Sequence, residues 1–583
     1  MATTSTPNSV ALDRGTVPRG SLMPRRVLYG VGASLTLLLS WRFAEVHPAI
    51  LFRPATASAV WKFLSSLFPP EVSADFLPTV LRAASQTIAT AVAGTLLSIT
   101  LALPLGILAT ATLWNRGVLV ATDVDSFALR IGILASALSR ALLGFLRAVP
   151  DLLWALLFVA AVGLGSLAGT LALAVAYTGV LGRVYADVFE HVDSQPLEAL
   201  QSTGATRMQI FLRGIWPQAL PHLTAYTLYS FECCVRAAAV LGFVGAGGIG
   251  YEISVSMRLF EYRQVLTLLL VLIMLLTITD AASRYLRTRY VKTDQRARDT
   301  KARDASLGMT SLLSRHRSAI APILVVPFVV VSFVLAGFTP QILTQSGFAT
   351  RIIGFIIRML PPDLSWPFIS SLGTALLQTI AISLLGTLIG ISLGVVLAIP
   401  ATSTFTFVRR DSPGRYRFPD RALRWLLFWS ARLVLNILRS IPELVWVLIC
   451  ILAVGIGPFA GTIALGLHTS GVLGKLYAET MEEVPFRPVE ALRSLGARPL
   501  QLLLWAIWPQ ARPLLSSYTV LRWEMNLRAS TILGLVGGGG LGQAIYNNVQ
   551  LGFYSRLSTL IILIYALVLA SDRIGERLRL RIA

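Results

Sequence analysis

The stretch EALQSTGATRMQIFLRGIWPQALP, Glu198 to Pro221, returns as EALRSLGARPLQLLLWAIWPQARP, Glu490 to Pro513. The offset is 490 − 198 = 292 residues. Within the first copy, Pro196 precedes Leu-Glu-Ala-Leu, which reads as a helix start with an acid in its first turn. Gly204 then permits a left-handed turn. A second helical stretch follows, apolar at Met208, Phe211, Leu212 and Ile215. Pro217 and Pro221 mark its end. The expected product is a short helix–turn–helix, apolar on one side. One such element is an ordinary amphipathic surface helix. Two at one offset, with Glu, Gly and both Pro retained, point to an interaction element.

The same offset pairs Arg147 with Arg439, Trp154 with Trp446, Glu232 with Glu524 and Arg236 with Arg528. Only the region near Pro104 and Pro400 drifts. The chain is therefore one unit written twice, the kind of internal repeat that must be found before any fold is assigned.

Each unit is built for a membrane. Hydrophobic residues make up 55% of the 583 positions and charged residues 14%, against about a quarter charged in soluble domains. Runs such as ILVVPFVVVSFVLAGF and LTLLLVLIMLLTIT, with their flanks, suit a hydrocarbon core that needs about 20 residues. Six spans per half are expected, near 28–44, 78–112, 132–162, 165–181, 222–243 and 264–282, then 319–338, 369–400, 425–454, 459–474, 514–536 and 557–571. The expected fold is an all-α integral membrane protein of about 12 transmembrane helices, arranged as two parallel pseudo-symmetric six-helix repeats. Its parts are a tail over 1–26, a first repeat over 27–283, a basic linker over 284–318 and a second repeat over 319–583.

Charge sets the orientation. The linker holds ten Lys or Arg against three Asp, so it belongs on the cytoplasmic side. Even span numbers then put both termini inside, along with the two Glu-Ala loops. The net charge of +21 sits in loops between apolar runs, without a basic-aromatic platform, and so indicates lipid-bilayer topology and no nucleic-acid partner. Cys233, Cys234 and Cys450 lie in apolar runs and form neither a disulfide framework nor a metal site.

Charges inside spans cost about 2.5–3.5 kcal/mol each on insertion scales and are functional candidates. Glu232 and Arg236 stand four apart, as do Glu524 and Arg528, so each pair can share a helix face. They either neutralise each other in packing or line a path with Arg open to an anion. Arg147 and Arg439 precede Pro150 and Pro442, which should break or kink their spans. Trp154 and Trp446 follow one turn later. Pathway roles compete with interfacial anchoring for the Trp and snorkelling for the Arg. Asp151 and Glu443 could equally neutralise these Arg.

VGAGGIG, Val244 to Gly250, fits G-x-G-x-x-G, and VGGGGLG repeats it at Val536 to Gly542. A dinucleotide turn needs a preceding strand and an acid about twenty residues on. Here an apolar span precedes it; Glu252 and Glu261 are too close and Asp280 too far. Gly245, Gly247, Gly248 and Gly250, with Gly537, Gly539, Gly540 and Gly542, are better read as tight helix termination and close backbone approach at an outer gate. Backbone N–H groups in such a turn also suit an anion.

Glu-Ala, Gly six residues after the Glu and Pro thirteen after the Gly resemble the EAA loop of ABC-importer permeases. LRAVPDLLWALLF and LRSIPELVWVLI, with FECCVRAAAVLGFVGAGGIG and WEMNLRASTILGLVGGGGLG, look like the phosphonate type. The resemblance covers roughly 75–290 and 365–583. It implies a type I importer permease fold, with two copies fused in one chain. It also implies that Glu198, Ala199, Gly204, Glu490, Ala491 and Gly496 dock two copies of a cytoplasmic ATPase subunit. An extracytoplasmic solute-binding protein would deliver substrate. Two departures stand out: Leu200 and Leu492 replace the third Ala, and the ending reads GIWP or AIWP.

No G-x-x-x-x-G-K-[ST] occurs, so ATP and Mg are expected in the partner ATPase and no cofactor in this chain. His468 is a lone His, and no catalytic set emerges from five His residues. The reading is a permease rather than an enzyme, in the plasma (inner) membrane, importing phosphonate or a related oxyanion such as phosphate or phosphite. The alternatives are an importer of another small solute, such as an amino acid or betaine, and an ion-coupled transporter.

Overall fold

A computed structural model describes residues 22–114, 126–303, 326–338, 348–403 and 418–582. Every regular element among them is helical. In lipid this is the economical solution, because a helix satisfies its own backbone groups. The central helices of the halves, Leu77–Ala109 with Ser166–Glu190 and Trp366–Ala401 with Pro458–Glu482, pack closely in pairs. Small residues permit the approach: a Cβ on Gly94 would lie 2.8 Å from Leu173 Cβ, and one on Gly386 3.0 Å from Leu465.

The twofold repeat holds at atomic detail. Tyr185 and Thr227 share a 2.6 Å hydrogen bond, as do Tyr477 and Thr519. Phe63 stands edge-on to Tyr262 at 5.1 Å, and Phe355 to Tyr554 at 5.1 Å. Those phenylalanines belong to amphipathic helices, Pro54–Ser66 and Phe348–Met359, that fall between the spans anticipated from the sequence.

Each half opens on an apolar helix that reaches the other half. Helix Leu22–Phe43 runs into Ala44, which is buried against Ala381 and Leu385. In the second half, Val326–Leu335 runs into Gly337, where a Cβ would touch Leu167 at 3.4 Å. The largest core is shared too. It holds Leu152, Leu153 and Ile249 from the first half with Leu444, Leu541 and Ile564 from the second.

Seven helices among the described residues are long and apolar enough to cross a membrane, and a bent pair adds an eighth. The third spans do not account for the difference from about 12, since Arg130–Ala148 is one of the seven and the bent pair is the eighth. The third span of each half, over 132–162 and 425–454, is broken where its proline was expected to break or kink it. Pro150 separates Ser126–Ala148 from Asp151–Val162. Pro442 lies in the break between Phe418–Ser440 and Glu443–Val454, where the chain bends by 97°. Polar residues dilute two second-half counterparts of crossing helices. Pro458–Glu482 carries His468, Thr469, Ser470 and Lys475, and Trp508–Leu533 carries Arg512, Arg522, Glu524 and Arg528. The basic linker and the first span of the second half lie partly outside the described residues.

Candidate functional site

The repeated loops fold as helix–turn–helix. Asp193 caps helix Ser194–Ser202 by accepting from Gln195 N at 3.1 Å. Gly204 turns the chain at φ +76°. Thr206 and Gln209 then form a capping box around the next helix start, at 2.9 and 3.4 Å. A π-turn over Phe211–Ile215 leads into helix Trp216–Leu241. Ile210, Phe211, Gly214 and Ile215 face inward. Met208 and Leu212 therefore face outward, 65% and 51% exposed, where the sequence had placed both on the same side as Phe211 and Ile215. The inward stripe is rotated by one position, because small Gly214 packs against Leu197 and Leu200.

Glu198, Ala199 and Gly204 are exposed, as are Glu490, Ala491 and Gly496. Gly496 repeats the turn at φ +82°. A groove of about 400 Å³ beside Ala199 is lined by Pro196, Leu200, Arg213 and Pro217. On the second loop Leu495, Leu500, Leu504 and Trp505 are 82%, 61%, 51% and 75% exposed. Both loops thus offer an acid beside uncovered apolar side chains.

At its far end, helix Trp216–Leu241 closes with the glycine turn. Gly245, Gly247 and Gly248 take φ of +95°, +75° and +74°, values that L side chains rarely adopt. The following helix, Gly248–Arg258, folds back so tightly that a Cβ on Gly250 would stand 1.8 Å from Ala239 O. Gly537, Gly539 and Gly540 repeat the angles, and Gly542 the approach. Most of the turn is buried. Its Ile249 and Leu541 N–H groups donate to Thr87 and Thr379 Oγ1 at 2.9 Å, and Gly540 N donates to Gln378 at 3.2 Å. These N–H groups are spent within the protein and not held out for an anion.

The broken spans explain the tryptophans. Proline has no N–H for the carbonyl four residues back. That carbonyl is Leu146 O for Pro150 and Leu438 O for Pro442. Trp154 Nε1 donates to the first at 3.3 Å and Trp446 Nε1 to the second at 3.2 Å. Each indole closes the bond that its proline opens.

Glu232 lies 4.0 Å from Arg236, and Arg236 also approaches Asp280 at 3.9 Å. Arg287 contacts Glu232 at 3.6 Å. In the second half no Glu524–Arg528 pair forms among the described residues. Arg528 donates to both Asp572 oxygens at 2.7 and 2.9 Å, and Glu524 pairs with Arg579. Both partners come from the neighbouring helix Tyr554–Ile582. Arg147 crosses between the halves to Asp572 at 3.5 Å. Arg439, its counterpart, lies within electrostatic reach of Arg236, Asp280 and Glu232. Asp151 accepts instead from Leu152 N at 2.9 Å, and Glu443 meets His468 and Arg522. Neither neutralises Arg147 or Arg439.

The result is a charged band where the halves meet. Arg147 and Arg236 are its open cations, with side chains 44% and 43% exposed. The sequence reading missed Asp280, Arg287, Asp572 and Arg579. Their signal was present: 572 − 280 and 579 − 287 both equal 292.

Comparison with known proteins agrees with this duplication. The family described as "Binding-protein-dependent transport system inner membrane component" matches residues 117–292 and 421–583. The phosphate-import permease protein PhnE of Mycolicibacterium smegmatis is 32% identical over 446 residues, 76% of this chain and 78% of that protein. The phosphite transport system permease protein PtxC of Stutzerimonas stutzeri is 38% identical over 240 residues, 41% of this chain and 77% of that protein. A cryptic phosphonate transport system permease protein of Escherichia coli, PhnE2, is 38% identical over 117 residues, 20% of this chain and 96% of that protein.

Proposed function

The chain belongs to the inner-membrane components of binding-protein-dependent transport systems, and on that premise we propose that it is the permease of an ATP-driven importer for phosphonate or a related oxyanion, phosphate or phosphite. A cytoplasmic ATPase docks on each exposed Glu-Ala loop, two copies per chain. An extracytoplasmic binding protein delivers the anion. ATP and Mg belong to the ATPase subunits, and both termini of the permease lie in the cytoplasm. The observation that supports this reading most is the duplicated loop itself, acid and apolar side chains uncovered in both copies.

One element joins the parts. Helix Trp216–Leu241 has 26 residues, about 39 Å at 1.5 Å per residue. It begins at the loop, carries Glu232 and Arg236 in its second half and ends at the glycine turn. Trp508–Leu533 does the same with Glu524, Arg528 and the second turn. A displacement of the loops by ATP-driven closure of the partners is carried along these rods to the charged band. Guanidinium groups match phosphoryl oxygens, and contact there must stay weak enough for release. Affinity therefore resides in the binding protein.

The test is reconstitution in proteoliposomes with the ATPase and binding protein. Phosphonate, phosphate or phosphite is expected to stimulate hydrolysis. If none of the three does while another solute succeeds, the substrate assignment is wrong.

A further inference from the structure

The pseudo-symmetry fails at one buried place. Arg522 is 8% exposed, in helix Trp508–Leu533. Its first-half counterpart, at 522 − 292, is Ser230. His468 likewise corresponds to Ala176, and Glu443 to Asp151. The trio Glu443, His468 and Arg522 therefore occurs once per chain.

Its hydrogen bonding fixes its charge. His468 Nδ1 is 3.1 Å from the Ile441 carbonyl oxygen, and Nε2 is 3.1 Å from Glu443 Oε1. Both ring nitrogens face oxygen. Nδ1 must hold a proton for the carbonyl, which has none to give. The Nε2 contact is then a hydrogen bond only if a second proton lies between ring and carboxyl. Whichever partner holds that proton, the Glu443–His468 pair has no net charge. Arg522 Nη2 stands 3.6 Å from the same Oε1, too far for a hydrogen bond. Its Nε and Nη2 are buried without an acceptor. Arg522 thus meets Glu443 as an ion pair without a hydrogen bond, and because the Glu443–His468 pair is already neutral the trio keeps a net positive charge, a costly arrangement inside a protein.

The surroundings favour an anion as the missing partner. Helix Glu443–Val454 starts at this point, just after Pro442, and its N-terminus adds positive potential. Arg236 of the first half lies within electrostatic reach of Arg522, and Asp151 within reach of Glu443. The trio therefore stands near the meeting of the two halves. Asp151 opposes an anion, yet among the described residues it makes no ion pair with Arg522.

We propose that Arg522 is the fixed cation of a single subsite per chain for a tetrahedral oxyanion, with Glu443 and His468 as positioning residues; this rests on the oxyanion reading above. The broken symmetry gives one transported anion one place to stop, on the second half.

Full-length protein in lipid nanodiscs is titrated with radiolabelled orthophosphate, and its thermal unfolding is followed with and without phosphate. Wild type is expected to bind one phosphate per chain and to unfold at a higher temperature in its presence. Arg522→Met should weaken binding about tenfold or more and abolish the phosphate-dependent rise. Its phosphate-free midpoint should equal or exceed that of wild type, because a net buried positive charge has been removed while Glu443 keeps His468 as its partner. Arg522→Lys, keeping the charge without the planar fork, should retain part of the binding.

Retained phosphate binding in Arg522→Met overturns the subsite. So does a marked fall in its phosphate-free midpoint, which would make Arg522 an ordinary structural partner of Glu443. Uptake by the reconstituted complex separates the two readings. If wild type transports phosphate, phosphite or methylphosphonate and Arg522→Met transports equally well, only the subsite falls. If wild type neither binds nor transports any of them, the oxyanion reading falls and the subsite with it.

Discussion

A methyl group on Gly250 would lie 1.8 Å from the Ala239 carbonyl oxygen, and one on Gly542 2.1 Å from that of Thr531. Both obstacles are backbone of packed helices, which cannot rotate aside as a side chain would. Gly250→Ala and Gly542→Ala should therefore cost at least the 1–3 kcal/mol or so of an overpacked core. Gly204→Ala is the useful contrast. Its Cβ meets open space, so only the left-handed backbone at φ +76° resists it, for about 1–2 kcal/mol. Unfolding midpoints in detergent should fall clearly more for Gly250 and Gly542 than for Gly204. Similar shifts would mean that the hairpin after the helix opens freely. Trp154→Phe tests the closure at Pro150: it keeps the ring and leaves Leu146 O without its donor, a cost of about 1–3 kcal/mol. An unchanged midpoint would show that another donor reaches that carbonyl. The glycines were legible because both copies carry them in one pattern. The bond from Trp154 to Leu146 was not, because an indole eight residues from a carbonyl has no reason to meet it until the chain turns at the proline.

Within helices, spacing is a guide to what can touch and a poor guide to what does. Glu232–Arg236 and Glu524–Arg528 have identical spacing, yet only the first pair meets, at 4.0 Å. Asp572 on helix Tyr554–Ile582 takes Arg528 with two hydrogen bonds. Asp280, its counterpart, approaches Arg236 only to 3.9 Å. Arg528→Ala should therefore lower the unfolding midpoint more than Arg236→Ala, since it strips Asp572 of its strongest partner. Arg236→Ala should act mainly on transport rate. Paired thermal and uptake measurements check this, and equal destabilisation by both variants would contradict it. The loops are elements of another kind, held by their buried faces and open on the others. Glu198→Lys with Glu490→Lys should leave the fold intact and abolish co-purification of the ATPase. Persistent co-purification would place the docking surface elsewhere. The helix–turn–helix was readable from Pro196, Gly204 and Pro217 together with the apolar spacing from Met208 to Ile215. Its outward face was not: the apolar stripe had to be split by packing into an inner half at Phe211 and Ile215 and an outer half at Met208 and Leu212.

The duplication was visible at 292-residue spacing, but how the copies embrace was not, because no spacing says which half a helix will cover. Helix Leu22–Phe43 ends against Ala381 and Leu385 of the second half, and the segment after Val326–Leu335 ends against Leu167 of the first. Leu152 and Leu444 lie in one core. Arg147 bonds across to Asp572. Contacts of this kind should hold the halves together without help from the connecting chain. The covalent link then fixes which two halves meet, and so guarantees that a half with Arg522 always faces one with Ser230. A protease site inserted between Asp304 and Ser318, within the basic linker, tests this directly. After cleavage in lipid, the two fragments should still co-elute, and transport should persist near the uncut rate. The decisive control is the same cut combined with removal of residues 1–47, which takes away the first helix that reaches the second half. That variant should separate, or lose its unfolding transition at the wild-type temperature. Separation of the simply cut protein would mean that the linker itself supplies the cohesion, and that the exchanged helices are only surface decoration.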